Sequence, residues 1–216
     1  MSNVIVNERV IAYINSLDTG NTGFLCELEK YATDNFIPII RKETQNLLKF
    51  FVSLTKPEKI LEAGTAIGFS AILMCQAAPK FCKITTMENY EKRIPIALDN
   101  IKKSGYEDRI NLIQGDAVET MKALNDEYDL IFIDSAKGQY INMLPDAIRL
   151  LKKGGLLISY NVMQDGEIIE SRYAVTRRNR TIHSRMRDYL FELTHNDKLV
   201  TSILPIGDGV TVSTKL

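Results

Sequence analysis

The sequence has few of the residues that build disulfide frames and metal centres. It contains no tryptophan, two histidines and three cysteines (Cys26, Cys75 and Cys82), and none of the cysteines forms a CxxC pair. An odd and scattered set of thiols argues against a disulfide framework or a zinc site and is typical of a reduced cytoplasmic protein. Long apolar runs are also missing, since stretches such as Leu156-Leu157-Ile158 are far shorter than the ~20 residues that cross a bilayer. The sequence therefore predicts a soluble cytoplasmic protein that does not enter a membrane.

Acidic residues are missing from one segment of an otherwise balanced chain. Lysine plus arginine and aspartate plus glutamate each number 27, so the formal net charge is zero. Between Ser171 and Arg187 there is no acid, while six arginines and His183 are present. The rest of the chain then carries a net charge of about −6. We therefore expect a basic surface on an acidic body, which bears on the choice of partner.

Short β-rich runs alternate with helix-length segments after Pro57. The runs cover 59–61, 83–87, 110–113, 130–133 and 156–159, and the helical segments lie near 69–78, 91–104, 117–124 and 138–151. This alternation requires crossover connections and predicts a mostly parallel sheet covered on both faces. The tail predicts a helix over 180–194 and then a hairpin of strands 199–203 and 210–213 at the sheet edge.

The first 55 residues show helical rather than strand periodicity. Val10, Ile14 and Leu17 recur at helical spacing, and a helix over 43–55 is predicted to place Leu47, Leu48, Phe51 and Leu54 on one side. We therefore predict a single domain over residues 1–216. A helical cap (1–56) precedes a doubly wound α/β core (57–216) with a seven-stranded, mostly parallel sheet and a C-terminal antiparallel hairpin.

Acidic residues follow the predicted strands, where open parallel sheets bind ligands. The strand ends carry Glu62-Ala63-Gly64 with Gly68 and Ser70, then Glu88, then Asp116-Ala117, then Asp134. A dinucleotide site would use similar residues, but its G-x-G-x-x-G fingerprint fails because Ala66 and Phe69 hold the second and third glycine positions. A ring of acids suits a cationic cofactor that has a ribose and no phosphates. S-adenosylmethionine fits that description.

These motifs, with Ile133-Asp134-Ser135-Ala136-Lys137, resemble class I S-adenosylmethionine-dependent O-methyltransferases. More narrowly, they resemble the cation-dependent group that includes catechol and caffeoyl-CoA O-methyltransferases. The similarity runs from Asn35-Phe36-Ile37-Pro38-Ile39 to the C-terminal strands, and it implies a Rossmann-like methyltransferase fold and a homodimer. The cofactor-binding positions that the resemblance implies are Ile39, Glu62, Gly64, Ser70, Glu88, Asp116, Ala117 and Asp134.

The resemblance also implies a magnesium site and a catalytic lysine. The family supplies two aspartates and an asparagine, which match Asp134, Tyr160 and Asn161, so one carboxylate is replaced by a phenol. A neutral phenol is a poor Mg²⁺ ligand, and we expect a weakened site and an impaired enzyme. The alternative is a variant that still turns over with water as the third ligand. Lys137 matches the catalytic lysine, as proton acceptor or oxyanion stabiliser; the alternative is a surface lysine at a helix start.

The tail is similar to bacterial tRNA 5-hydroxyuridine methyltransferases. The similarity lies in Gln164-Asp165-Gly166, Glu170-Ser171-Arg172-Tyr173, Thr176-Arg177-Arg178 and Thr181-Ile182-His183. It implies a tRNA anticodon loop as partner and 5-methoxyuridine as product. The residues expected to follow the RNA phosphates are Arg172, Arg177, Arg178, Arg180, His183 and Arg187.

Two alternatives to a tRNA methyltransferase stay open at this point. A small-molecule catechol-type O-methyltransferase would share the chemistry, but its pocket is expected to have aromatic gating residues. A non-catalytic RNA-binding module would retain the cofactor without turnover. The arginines could also belong to an ordinary solvent-exposed helix surface. Such surfaces normally carry both acidic and basic residues, and this segment has no acid.

Overall fold

A seven-stranded sheet runs through the centre of the computed structural model, which describes residues 6–216. The predictions made for residues 1–5 lie outside the described residues. The strands are β1 (Lys59–Ala63), β2 (Lys83–Glu88), β3 (Ile110–Gln114), β4 (Tyr128–Ile133), β5 (Leu151–Tyr160), β6 (Leu199–Leu204) and β7 (Val210–Lys215). Their order across the sheet is β3-β2-β1-β4-β5-β7-β6, and β1 to β5 pair in parallel.

Helices cover both faces of this sheet. In residues 6–216 they are α1 (Glu8–Ser16), α2 (Phe24–Asp34), α3 (Lys42–Thr55), α4 (Phe69–Ala77), α5 (Ile94–Lys103), α6 (Ala117–Ala123), α7 (Tyr140–Leu150) and α8 (Arg180–His195). Two 3₁₀ turns, Lys137–Gln139 and Gln164–Ile169, precede α7 and follow β5. None of the described helices combines the length and the apolar character needed to cross a bilayer.

Two apolar clusters, one on each face, hold the layers together. Consecutive residues of β1 separate between them, because side chains alternate across a strand: Ile60 joins one cluster and Leu61 the other. The first cluster contains residues of α2, α3 and α4, and the second contains residues of α7 and α8. The doubly wound, Rossmann-like α/β fold with a helical N-terminal part and a C-terminal antiparallel hairpin is thus confirmed.

The hairpin joins the sheet through its second strand. β7 pairs antiparallel with β5 on one side and with β6 on the other, so β6 forms the edge. The register places Tyr160 opposite Val210, beside the loop that contains Gly207-Asp208-Gly209. This pairing brings the loop to the carboxyl end of β5.

The helical cap packs on α4 through a narrower face than predicted. In α3 the buried residues are Thr44, Gln45, Leu48 and Val52. The prediction for Leu54 is wrong, since its side chain is 63% exposed and lies beyond the edge of that face. In α1 the apolar residues do recur at helical spacing, but none is buried.

Candidate active site

A cavity of about 520 Å³ opens at the carboxyl ends of β1 to β5. The segment before α3 covers it from the side of the cap, through Ile39 and Arg41. Seven of the eight predicted cofactor-binding residues line the cavity: Ile39, Gly64, Ser70, Glu88, Asp116, Ala117 and Asp134. The parallel strands place these residues together because all the carboxyl ends meet at one edge.

The loop after β1 approaches the end of β4 so closely that its first residue must be glycine. Gly64 has a φ of +102°, and a Cβ atom there would collide with the backbone carbonyl oxygen of Asp134. Gly64 also donates its amide to the carbonyl of Met87 at 3.0 Å. The loop is thus fixed between β2 and β4 and leads directly into α4.

Glu88 holds this loop and its own following segment through backbone amides. One carboxylate oxygen accepts a hydrogen bond from the amide of Ala66 at 2.8 Å. The other accepts from the amides of Asn89 and Tyr90, at 3.0 and 2.9 Å. Each carboxylate oxygen has two lone-pair sites, so Glu88 can accept one further hydrogen bond, on the oxygen that binds Ala66, from a ribose hydroxyl.

Glu62 lies beneath the cavity and does not line it. Its side chain is 0% exposed and accepts hydrogen bonds from the hydroxyls of Ser70 and Thr86, both at 2.5 Å. Burial raises the pKa of Glu62 to about 7, against the two hydrogen bonds that lower it. We therefore correct the prediction for Glu62: it positions the Ser70 hydroxyl, which does face the cavity.

Asp116 caps the helix that borders the cavity on the β3 side. Its Oδ1 accepts from the amides of Val118 and Glu119, at 2.9 and 3.2 Å, in the manner of an N-cap residue. This contact orients the first turn of α6, where Ala117 and Val118 line the cavity.

A chain of polar side chains links β4, β5 and the hairpin loop at one end of the cavity. Lys137 Nζ lies 3.6 Å from Asp134 Oδ1. One orientation of the Asn161 amide satisfies both of its neighbours: its oxygen accepts from Lys137 Nζ at 3.0 Å, and its nitrogen donates to Asp208. The other oxygen of Asp208 accepts from the amide of Asp165 at 2.5 Å. Burial raises the pKa values of Asp134 and Asp208, although Lys137 opposes the change in Asp134.

The hydroxyl of Tyr160 contacts the cap through Arg41. The phenol is 5% exposed, and its oxygen accepts a hydrogen bond from the backbone amide of Arg41 at 3.3 Å. Burial raises the pKa of Tyr160 to about 12, so the group is neutral at physiological pH. The ring therefore closes the cavity toward the cap and contributes no negative charge.

The donor set at this point does not fit Mg²⁺. No cluster of three or more His, Cys, Asp or Glu side chains suited to a metal occurs within residues 6–216. Magnesium prefers carboxylate oxygens in octahedral geometry, and Tyr160 offers a neutral phenol instead. The oxygens of Asp134 and Asn161 already face the ammonium of Lys137, and both oxygens of Asp208 face N–H donors. The predicted magnesium ligands all line one cavity, but two of them, Asp134 and Asn161, contact the Lys137 ammonium, and the third is a neutral phenol.

The five arginines predicted to bind RNA divide into two groups, and His183 belongs to neither. Arg172, Arg177 and Arg178 are exposed. Arg180 and Arg187 donate to the backbone carbonyls of Val175 and Ile168, each at 3.3 Å. These two side chains therefore also brace the segment that carries the other arginines.

The prediction that His183 lies on the basic face is wrong. His183 is 1% exposed and lies on the buried side of α8 with Met186 and Tyr189. The neighbouring Ile182 is 37% exposed and lies near Gly138. His183 tolerates burial since its Nε2 lies 3.1 Å from the carbonyl oxygen of Glu170.

Sequence reasoning missed two residues of the site, Asp208 and Arg41. Asp208 was placed in a hairpin turn, yet it is 3% exposed and contacts Asn161. Arg41 lines the cavity and pairs with Asp165 at 2.9 Å. The available signal was an acid between two glycines at a strand start, which is unusual for a solvated turn.

Comparisons with known proteins agree with this geometry. A model of the O-methyltransferase family matches residues 15–216. The crystal structure of SAH-bound methyltransferase PaMTH1 from Podospora anserina is 26% identical, with a TM-score of 0.86 over 97% of this chain and 94% of that chain. Catechol O-methyltransferase from Niastella koreensis is 32% identical over 57% of this chain and 58% of its own. Caffeoyl-CoA O-methyltransferase 1 from Arabidopsis thaliana is 29% identical over 78% of this chain and 68% of its own. A match over most of the length identifies the chain as a member of the O-methyltransferase family.

Proposed function

We propose that this chain is a cytoplasmic enzyme that transfers a methyl group from S-adenosylmethionine to the 5-hydroxyl of a modified uridine in a tRNA anticodon loop. Family membership supports methyl transfer to oxygen, and the SAH-bound Podospora anserina relative supports the cofactor. The observation that carries the choice of tRNA is the position of the acid-free arginine segment, which contacts Gly138 directly and follows a turn that binds the cavity-lining Arg41.

Two contacts tie the arginine segment to the cavity. Asp165, at the start of the 3₁₀ turn that precedes the segment, binds Asp208 through its amide and Arg41 through its carboxylate. At the other end, Arg185 Nη1 donates to the carbonyl of Gly138 at 3.1 Å, directly after Lys137. The stretch that carries Arg172, Arg177 and Arg178 is thus held at one end near Arg41, which lines the cavity, and at the other end at Gly138, next to the cavity-lining Lys137. A strand of phosphates on these arginines would deliver a base to the cavity.

The side chains of the cavity would each perform a defined part of the reaction. The cofactor, when bound, supplies a methyl group on a positively charged sulfur. Glu88 would accept a hydrogen bond from a ribose hydroxyl, and the first turn of α6 would border the adenine. The buried Glu62 would hold Ser70 in place, and Lys137 would face the oxygen nucleophile. Such positioning lowers the barrier because it converts a bimolecular displacement into an intramolecular one. No step is assigned to magnesium, since the donor set does not fit it.

Transfer of labelled methyl groups to undermethylated tRNA tests the proposal. We expect incorporation into tRNA that carries 5-hydroxyuridine, and a steep fall in RNA affinity between 50 and 200 mM salt. Arg177→Ala and Arg178→Ala should each weaken RNA binding and reduce its salt dependence. Lys153→Ala is the matched control, because Lys153 is exposed near the start of β5, away from the carboxyl ends of the strands. Salt-insensitive binding, or equal effects of all three variants, would contradict the tRNA assignment.

A small-molecule catechol-type acceptor is the second candidate, and the named relatives favour it. The catechol and caffeoyl-CoA O-methyltransferases named above match 57% and 78% of this chain. Labelled methyl transfer to catechol, without transfer to tRNA, would select this function. Cofactor binding without transfer to either acceptor would instead indicate a non-catalytic module.

We also propose that the chain forms a homodimer through α1. Val10, Tyr13, Ile14 and Leu17 are all exposed, and together they form an apolar strip along one short helix. A contiguous apolar surface of this kind is typical of protein interfaces. Light scattering should give a dimer mass for the wild-type protein and a monomer mass for Ile14→Glu.

A further inference from the structure

We propose that Lys137 supplies the positive charge at the reacting oxygen, so that methyl transfer by this chain needs no divalent metal ion. The inference rests on the proposed methyltransferase function and concerns the chemistry of the same cavity. It departs from the cation-dependent proteins that the sequence resembles, and three features of the site carry it.

The first feature is the position of the Lys137 ammonium. Nζ lies between Asp134 and Asn161, at 3.6 Å from the Asp134 carboxylate and 3.0 Å from the Asn161 amide oxygen. These two residues match ligands of the metal in the related family. A divalent ion placed between the same two oxygens would have to displace the Lys137 ammonium, which already lies there.

The second feature is the loss of the carboxylate that a divalent ion requires. Tyr160 takes that position in the sequence, and its hydroxyl is engaged by the backbone amide of Arg41. Lys137 and Arg41 supply positive charge beside Asp134 and Asp208, and Arg41 also pairs with Asp165 at 2.9 Å. A divalent ion would bring two further positive charges close to these two cations.

The third feature is that the remaining oxygen donor is occupied. Asp208 could have replaced the missing carboxylate, since it is buried and contacts Asn161. Its two oxygens, however, accept from the Asn161 amide nitrogen and from the Asp165 amide. A shift of Asp208 toward a metal would break one or both of these hydrogen bonds, and this cost would offset part of the gain from the metal.

The reaction balances without a metal. A hydroxyl next to a carbonyl group on an aromatic ring releases its proton to bulk water, and the resulting anion binds beside the Lys137 ammonium. The oxygen lone pair forms the new O–C bond, the C–S bond breaks, and its electron pair returns to sulfur as a neutral thioether. Lys137 keeps its protons throughout, because it stabilises the anion before transfer and pairs again with Asp134 afterwards.

Manganese binding tests the inference without any turnover. Electron paramagnetic resonance of Mn²⁺ should show only the free ion when it is mixed with the wild-type protein, and stoichiometric bound ion with Tyr160→Asp. Tyr160→Phe is the control, since it removes the hydroxyl and restores no carboxylate. Stoichiometric Mn²⁺ binding by the wild-type protein would overturn the inference.

Methyl transfer with and without a chelator provides the second readout. We expect the wild-type rate on tRNA to change by less than about 2-fold on addition of EDTA. Lys137→Met should lower the rate roughly 100-fold or more with unchanged affinity for S-adenosylhomocysteine, and Lys137→Arg should restore part of it. A rate that collapses with EDTA and returns with Mg²⁺ would overturn the inference. Failure of the proposed function would appear differently, as no transfer in either arm, and the Mn²⁺ spectrum would still decide the metal question.

Discussion

The buried carboxyl of Glu62 should make the stability of the protein fall as the pH rises. Its ordinary pKa of 4.5 governs the unfolded chain, whereas burial raises the pKa to about 7 in the folded protein. Between these values the folded state holds a proton that the unfolded state has lost, so the free energy of unfolding decreases with increasing pH. The contribution of Glu62 is fully present below pH 4.5 and is lost as the pH passes 7. Glu62→Gln keeps the shape of the side chain and removes this titration.

The magnitude follows from the size of the shift. Each pH unit between the two pKa values is worth about 1.4 kcal/mol, so the wild-type protein should lose about 2.5 kcal/mol more than Glu62→Gln between pH 5 and pH 8. Urea denaturation of both proteins at the two pH values measures the difference, and contributions from other groups cancel. Glu119→Gln is the matched control, because the Glu119 side chain is 72% exposed. Equal pH dependence of the wild-type protein and Glu62→Gln would refute the reasoning.

Two further predictions concern the cavity. Gly64→Ala should destabilise the protein by about 3 kcal/mol or more in urea denaturation, because the new methyl group collides with the Asp134 carbonyl. Gly105→Ala has a similar positive φ and no atom within 4 Å of the added Cβ, so it should cost only about 1–2 kcal/mol; equal losses would contradict the close-approach argument. Glu88→Gln should weaken S-adenosylhomocysteine binding by roughly 10- to 100-fold in calorimetry, since three backbone amides lose a charged acceptor. The exposed Glu91→Gln should bind normally, and a normal affinity for Glu88→Gln would count against the ribose role.

Most of the fold could be predicted from the sequence because its periodicity is strong. Each strand of the parallel half is a short apolar run that leads into small or acidic residues, and this pattern has few other solutions. The predicted ends of the strands and helices were less accurate than the elements themselves. The fifth strand begins at Leu151, five residues before its apolar run, and its pairing with β4 is irregular between Tyr128 and Leu130. Helix α5 begins at Ile94, with Pro95 in its first turn, rather than near residue 91.

The candidate site could be predicted where it depends on strand ends and not where it depends on long-range pairing. Residues after β1 to β4 share one edge of the sheet by topology alone, so their grouping follows from the order of strands. Asp208 reaches the same edge only because β7 pairs with β5, and no local pattern specifies that partner. The burial of His183 was missed for a similar reason. The ring can be buried because its Nε2 lies 3.1 Å from the carbonyl oxygen of Glu170, and no local pattern specifies that partner.

The insertion of β7 between β5 and β6 has a consequence for assembly. Asp208 lies in the loop between β6 and β7, and β7 joins the rest of the sheet only by pairing with β5. The end of the cavity that depends on Asp208 is therefore complete only when that pairing has formed, whereas the residues after β1 to β3 do not depend on it. A protein whose hairpin has opened would therefore still take up its nucleoside while being unable to use it, and amide hydrogen exchange should find β6 and β7 opening ahead of β1 and β4.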